Sequence, residues 1–451
     1  MTDLGEAMFS TRRMSAIFSG ESLAQRMLDF EAALARAEAQ AGLIPQEAAT
    51  AIGSKCRAEL FDLRKLYEDA ATTGTPAIPL VKMLTELVEE DARGFVHWGS
   101  TSQDVIDTGM ILQVRDGLDL LIDELMAVGA ACVSLTEDHR APMAGRTLLQ
   151  HALPITFGLK AARWLTLATR QVVRLRDLRG RVLVVQFGGA AGTLAALGAN
   201  GVQVAELLGE ELNLAVPELP WHTERDRVAE VATSLGIVAG AMAKIAGDVV
   251  LLMQTEVGEA SEGASAGRGT SSALPHKRNP VLASGAIASA RLAIGTVPVV
   301  LSAMMQEHER AAGGWQAEWL AIPELFRLTA ATVDRVRSIV ENIEIDAERM
   351  GANLELSGGQ IMSEALVMAL APHVGRAEAY RLVASAGERA AQHGEDLRSV
   401  AASDEQIGEF LAPEVLESVF EPETYLGSTD AFIDRAVAGF RAIVEQSRAS
   451  S

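Results

Sequence analysis

Residues 228–256, VAEVATSLGIVAGAMAKIAGDVVLLMQTE, constrain the fold more than any other part of the chain. The stretch is apolar on more than one helical face, and so is 280–306. Helices of that length and character must be covered on several sides. Glu230, Lys244 and Asp248 interrupt the apolar run, which favours a buried bundle helix over a membrane span. Hydrophobic residues make up 49% of the 451 positions, yet aromatics only 4%. Alanine and leucine carry that fraction, and Gly and Pro gather between the periodic segments. Such a mixture predicts an all-α fold of roughly two or three domains. The need for cover predicts that the bundle continues into other subunits.

Periodicity places the helices. Over 22–41, Leu23, Met27, Phe30 and Leu34 recur at three- and four-residue spacing, with Ser22 as N-cap and Gly42 and Pro45 as the stop. A helix is expected after Pro79. The polar turn 97-HWGSTSQD-104 leads into another, from about Val105 to Val128. Residues 112–141, 156–180, 200–210, 225–256, 280–306 and 323–342 also read as helices. The one β-like run is 181-RVLVVQF-187. Gly and Asn interrupt the pattern at 350-MGANLELSGG-359. A domain boundary is expected there, and the remainder to 451 holds shorter helices broken at Pro372, Pro413 and Pro422.

Several function classes fall away. The formal net charge of −21 argues against a nucleic-acid partner. Cys56 and Cys132 form neither a CxxC pair nor a disulfide framework, which fits a reducing cytoplasm. The first twenty residues lack the apolar core of a signal peptide. The eight histidines give no metal-ligand spacing. The 188-GGAAG-192 segment lacks the Lys-Ser/Thr of a phosphate loop. What remains is metal-free, cofactor-free chemistry run by hydroxyls, imidazole and cations.

Four segments carry such groups. In 99-GSTSQD-104, Thr101 and Asp104 have capping-box spacing, and Ser102 can cap as well. A helix start of this kind can also face a bound carboxylate, with His97 as a titratable neighbour. In 145-GRTLLQHALPITFG-158, Arg146 and His151 cluster with Thr and Gln. Imidazole is the side chain poised to move protons near neutral pH. In 306-QEHERAAGGWQAEW-319, His308 and Arg310 precede Gly313-Gly314, which reads as a turn at a surface. The fourth segment is 258-GEASEGASAGRGTSSALPHKRNP-280. Its Gly/Ala/Ser half reads as a mobile lid over 258–270, and its other half presents Ser271, Ser272, His276, Lys277 and Asn279.

In this order the four segments resemble the fumarase/aspartase superfamily. Its signature loop runs roughly G-S-S-x-M-P-x-K-x-N-P, and 271-SSALPHKRNP-280 is similar to it, with Thr270 for the usual Gly and Leu274 for the usual Met. Within the superfamily the cycloisomerase branch is most similar, through 28-LDFEAALARAEAQAGLIP-45, 77-AIPLVKML-84, 219-LPWHTERDR-227 and the 422-PETYLGSTDAFIDRA-436 tail. Adenylosuccinate lyases tend to carry a His-Gly pair where Leu148 and Leu149 stand. Losing a polar donor from a pocket changes what it can hold, so the difference argues against a nucleotide substrate.

The resemblance implies a three-domain, all-helical subunit, a cytoplasmic homotetramer and active sites shared between subunits. It implies lactonisation of 3-carboxy-cis,cis-muconate or the 3-sulfo analogue without a cofactor or metal. The partner is then a small dicarboxylate or tricarboxylate, with no nucleic acid and no membrane. Ser271, His151 and Lys277 take the catalytic roles. Thr101, Ser102, Arg146, Asn279, Arg310 and His97 take substrate binding. An adenylosuccinate-lyase-like C–N lyase is the alternative, and a non-catalytic binding relative is a further one.

Overall fold

The computed structural model describes residues 4–263, 269–274 and 276–449. It is helical almost throughout, as the composition predicts. Among the described residues the strands form only two small two-stranded sheets. Residue contacts divide the chain into two compact units. One comprises Met1–Glu124, Gln171–Met242 and Gly285–Asp334, and the other Leu125–Arg170, Ala243–Ser284 and Arg335–Ser451.

In the first unit, the Gly20–Gln40 helix is capped by Ser19, whose hydroxyl accepts from Ser22 N–H; Ser22 itself lies inside the helix. Met27, Leu28, Phe30 and Leu34 on this helix are fully buried. Asp62 caps the Leu63–Thr73 helix and left-handed Gly74 ends it. The next helix, Ala77–Leu87, starts before Pro79 rather than after it, because proline fits a first turn that has no N–H partner to lose. Phe18 stacks on Phe326 with ring centroids 4.6 Å apart, and Trp221 is buried with its indole N–H on the Val185 carbonyl. The 181–187 run is not a strand. The Phe157–Val182 helix extends into it, and only a single bridge, Val184 to Ala215, pairs there. Its apolar residues fill a helical core, which alternation alone could not distinguish from a sheet face.

The second unit contains an element that periodicity did not reveal. Strands β1 (Pro142–Thr147) and β2 (Gln150–Thr156) form an antiparallel hairpin with a register shift between Ala144 and Arg146. Leu148 and Leu149 make its tip at φ 50° and 65°, and are 97% and 71% exposed. Within the single chain they line no pocket and point to solvent. The two helices expected over 105–128 and 112–141 are one, Ser102–Asp138. Pro372 lies within the Ser363–Val374 helix instead of breaking it. Leu366, Leu370, Ala386, Leu397 and Ile407 are core residues of the C-terminal helices. The second sheet pairs β3 (Ala260–Ser261) with β4 (Glu344–Ile345).

Two helices, Asp226–Leu252 and Val281–Ala303, are long and apolar enough to cross a membrane by length and composition. Each also leaves apolar side chains exposed, among them Ile237 and Leu251 on the first and Leu292, Ile294, Val299 and Leu301 on the second.

Candidate active site

In the first unit the chemistry gathers where the Ser102–Asp138 helix begins. Asp104 is wholly buried and accepts four hydrogen bonds: from the backbone N–H groups of Thr101 (3.1 Å), Gly188 (3.0 Å) and Gly189 (2.9 Å), and from His222 Nε2 (2.8 Å). The bond to Thr101 N–H is half of the expected capping box. Gly189 sits at φ +66°, and a Cβ there would lie 3.0 Å from the Gly99 carbonyl. The Gly-Gly pair thus serves a buried carboxylate, with no N–H left for a phosphate.

The other half of that box is replaced. Thr101 Oγ1 accepts from Arg310 Nη1 at 3.2 Å. The same guanidinium donates through Nε to Gln103 Oε1 (3.1 Å) and through Nη2 to the Ala190 carbonyl (3.2 Å). Thr101 and Arg310, distant in sequence, are brought together, and Ser102 stands half-buried beside them. His97 is turned elsewhere. At φ +60° its Nδ1 lies 2.6 Å from Glu31 Oε1. Burial opposes its charge, but the Glu31 carboxylate outweighs this and holds the imidazole above its usual range. Gly313 turns the chain at φ +114°, and a helix starts at Gly314, so Trp315 is helical and buried rather than part of a surface turn.

In the second unit the hairpin sets Arg146 directly across from His151. Arg146 forms two parallel hydrogen bonds to Glu259, at 2.8 and 2.7 Å. Glu259 is fully buried and also accepts from Asn353 Nδ2 at 2.8 Å. The Arg146 charge is therefore already compensated within the fold. Burial, then the Arg146 cation, press the His151 pKa below its usual value, so the ring is neutral near pH 7 and can take up a proton.

Glu259 corrects the reading of 258–270 as an unpacked lid. Gly258–Gly263 is built into the fold: Glu259 is buried, Ala260 and Ser261 pair with β4, and Glu262 caps the Val281–Ala303 helix through the N–H groups of Leu282 and Ala283. Residues 264–268 of that expected lid, like Pro275, lie outside the described residues.

The loop closes on itself at 269–279. Asn279 N–H bonds to the Gly269 carbonyl (2.9 Å), Asn279 Nδ2 reaches the same oxygen (3.3 Å), and Thr270 bridges to Arg278. Gly269 is at φ +70°, and a Cβ there would come within 2.7 Å of the Asn279 carbonyl. Thr270 therefore leaves the positive-φ position to the glycine before it. Ser271 Oγ accepts two backbone N–H groups, from Leu274 (3.0 Å) and Ala273 (3.3 Å). Both stabilise negative charge on that oxygen. Lys277 is exposed and makes no ion pair among the described residues.

Sequence reasoning did not single out Gln103, His222 or Glu259. His222 lay within 219-LPWHTERDR-227, quoted only for its resemblance. Glu259 was masked by its Gly/Ala/Ser neighbours.

Comparison with known proteins places the chain in a family. A family model described as Lyase matches residues 5–295, and one described as Adenylosuccinate lyase C-terminus matches 359–436. A 3-carboxy-cis,cis-muconate cycloisomerase of Pseudomonas aeruginosa is 47% identical over 444 residues, covering 98% of this chain and 97% of its own. A nitrosuccinate lyase of Streptomyces davaonensis is 42% identical, covering 92% of this chain and 90% of its own. The crystal structure of a 3-carboxy-cis,cis-muconate lactonizing enzyme from Pseudomonas putida matches with a TM-score of 0.93 and 43% identity, over 98% of this chain and 99% of that one. On these matches and on the segments at 99–104, 145–158 and 271–280, the chain belongs to the lyase family of the fumarase/aspartase superfamily.

Proposed function

We propose that the chain is a cycloisomerase that closes 3-carboxy-cis,cis-muconate, or its 3-sulfo analogue, into the corresponding muconolactone. The observation that carries this reading is the Ser271 turn, a hydroxyl receiving two backbone N–H groups, in a segment whose Lys277 makes no ion pair among the described residues. Full-length similarity to relatives bearing that activity supports it.

The reaction is an isomerisation. A substrate carboxylate oxygen attacks the double bond of the same molecule, and the new C–O bond closes the five-membered ring. The π electron pair moves to the carbon beside a second carboxylate and is held there as an enediolate. A proton then arrives at that carbon, and no atom is lost. Because the nucleophile belongs to the substrate, the enzyme supplies conformation, worth several kcal/mol, and electrostatics. Ser271 donates the proton to carbon, and its oxyanion is held by the two N–H groups. Lys277 and Asn279 hold the carboxylate on which charge accumulates. His151, neutral near pH 7, orients the substrate and balances the proton. Thr101, Ser102 and Arg310 hold the remaining anionic groups. The Thr101 hydroxyl, already accepting from Arg310, has its own proton free to donate to a carboxylate. Arg146 acts by fixing the hairpin under His151.

The proposal includes a cytoplasmic homotetramer in which different subunits contribute to each site. Support comes from the apolar side chains left exposed along Asp226–Leu252 and Val281–Ala303, which copies of the same chain can cover. The three domains 1–110, 111–352 and 353–451 belong to the same proposal.

The second reading is a lyase acting on a substituted succinate, favoured by the nitrosuccinate lyase similarity and the match to the adenylosuccinate lyase C-terminus. Parallel assays with 3-carboxymuconate, 3-sulfomuconate, nitrosuccinate and adenylosuccinate, followed by ultraviolet absorbance, separate the two. Turnover of a muconate alone is expected. Turnover of a succinate alone would replace the cycloisomerase reading.

A further inference from the structure

Arg310 is held on all three of its nitrogens, and every acceptor is neutral: the Thr101 hydroxyl, the Gln103 amide and the Ala190 carbonyl. Among the described residues no carboxylate pairs with it. The contrast with Arg146, neutralised by Glu259, is direct. A guanidinium fixed without a counter-charge keeps its full attraction for an anion and gives up little side-chain freedom on binding.

The fixing depends on Gln103, which is completely buried. Its Nε2 donates to Asp107 Oδ2 (3.1 Å) and to the His222 carbonyl (2.8 Å). Both partners only accept, so the amide cannot flip, and Oε1 must face Arg310. Asp107 is itself immobile. It receives both terminal nitrogens of Arg225 (2.7 and 3.0 Å) and the Trp315 indole N–H (2.9 Å). Arg225 is buried and also pairs with Glu318, whose other contact is Gln306 Nε2 at 3.3 Å. That last bond ties down the start of the segment that carries Arg310.

We propose that Gln103 is a positioning residue for anion recognition, which transmits the rigidity of the Asp107–Arg225–Glu318 network to Arg310 and keeps its cation uncompensated for a substrate carboxylate. The role rests on the proposed use of Arg310 for substrate binding. Gln103 itself touches no substrate in this scheme.

The test measures affinity for an inert tricarboxylate, tricarballylate, by calorimetry on the intact protein, beside turnover of 3-carboxymuconate. Gln103→Met is expected to weaken tricarballylate binding roughly 10- to 100-fold, the range for a hydrogen bond to a charged group. The same variant raises KM while changing kcat less than about threefold, the pattern of lost uniform binding. Adding Gln103→Met to Arg310→Met is expected to change affinity by no more than about twofold, because the two act through one cation. Multiplying penalties in this double-mutant cycle, or a loss of kcat with unchanged KM, would mean a merely structural Gln103. Gln103→Asn, which keeps a neutral amide, covers the case in which Gln103→Met does not fold. One methylene shorter, it cannot hold Asp107 and the His222 carbonyl and still reach Arg310, and wild-type affinity in that variant would overturn the idea. So would a wild-type protein that binds no tricarballylate. Wild-type binding without turnover of 3-carboxymuconate would refute the proposed reaction and leave the Gln103 result to be read from affinity alone.

Discussion

Arg146 and Glu259 meet through two parallel hydrogen bonds, and Glu259 is entirely shielded from solvent. The pair ties the His151 hairpin to the segment that precedes the signature loop. Breaking a buried pair by removing one partner typically costs about 3–5 kcal/mol, because the other charge is left uncompensated. Glu259→Gln is therefore expected to lower stability by roughly 3 kcal/mol, read from thermal unfolding. Arg146→Lys should also destabilise, since an ammonium cannot form the paired contact. A Glu259→Gln protein as stable as wild type would show that the hairpin is held by other means.

Ser271→Ala is expected to keep its fold and lose about 100-fold or more of kcat, the usual worth of a positioned proton-transfer group. Stopped assays with 3-carboxymuconate check this. Retention of more than about a tenth of wild-type turnover would assign proton delivery to another group.

Shared sites predict complementation. His151→Ala and Ser271→Ala proteins, each inactive, are dissociated together and reassembled. Partial return of activity is expected, because some sites then draw an intact residue from each kind of subunit. Verified mixed oligomers without activity would place both residues in sites built from one chain.

Glu38 gives a stability profile with a defined sign. It is fully buried, neither carboxyl oxygen has a hydrogen-bond partner among the described residues, and burial together with the nearby Glu31 charge pushes its pKa up to about 9. The native state thus keeps a proton that the unfolded chain releases near pH 4.5. Between those values unfolding releases a proton, so stability falls as pH rises, and it levels off above about pH 9. Glu38→Gln carries no such proton and should flatten this part of the profile by several kcal/mol. Denaturant titrations at pH 5, 7 and 9 provide the comparison. Parallel profiles for both proteins would show that Glu38 is ionised in the native state.

The legible parts of this molecule were those written locally. Leu23, Met27, Phe30 and Leu34 announce their helix because helical burial imposes its own period. The 271–280 motif was legible because loop chemistry demands particular residue types in order. The hairpin at 142–156 was not, because its tip is Leu148-Leu149, where two-residue turns ordinarily show Asn-Gly. Nor was the Gln103–Asp107–Arg225–Glu318 network, whose members are joined only by tertiary contact. Glu259 shows the same limit from the other side. A Gly/Ala/Ser context reads as unpacked, yet one carboxylate anchors it through Arg146 and Asn353.

Asp104 satisfies four donors with two oxygens at the end of one short stem. Asparagine would offer only one accepting atom and turn two hydrogens toward N–H groups already pointing at it. Glutamate would have to fit one more methylene into a wholly buried site. The position is thus chemically single-valued: its neighbours specify one amino acid, with no help from any substrate. In a saturation screen scored by activity, position 104 will rank with the groups that handle the reaction. Only a parallel score for folded protein will reveal that it is masonry.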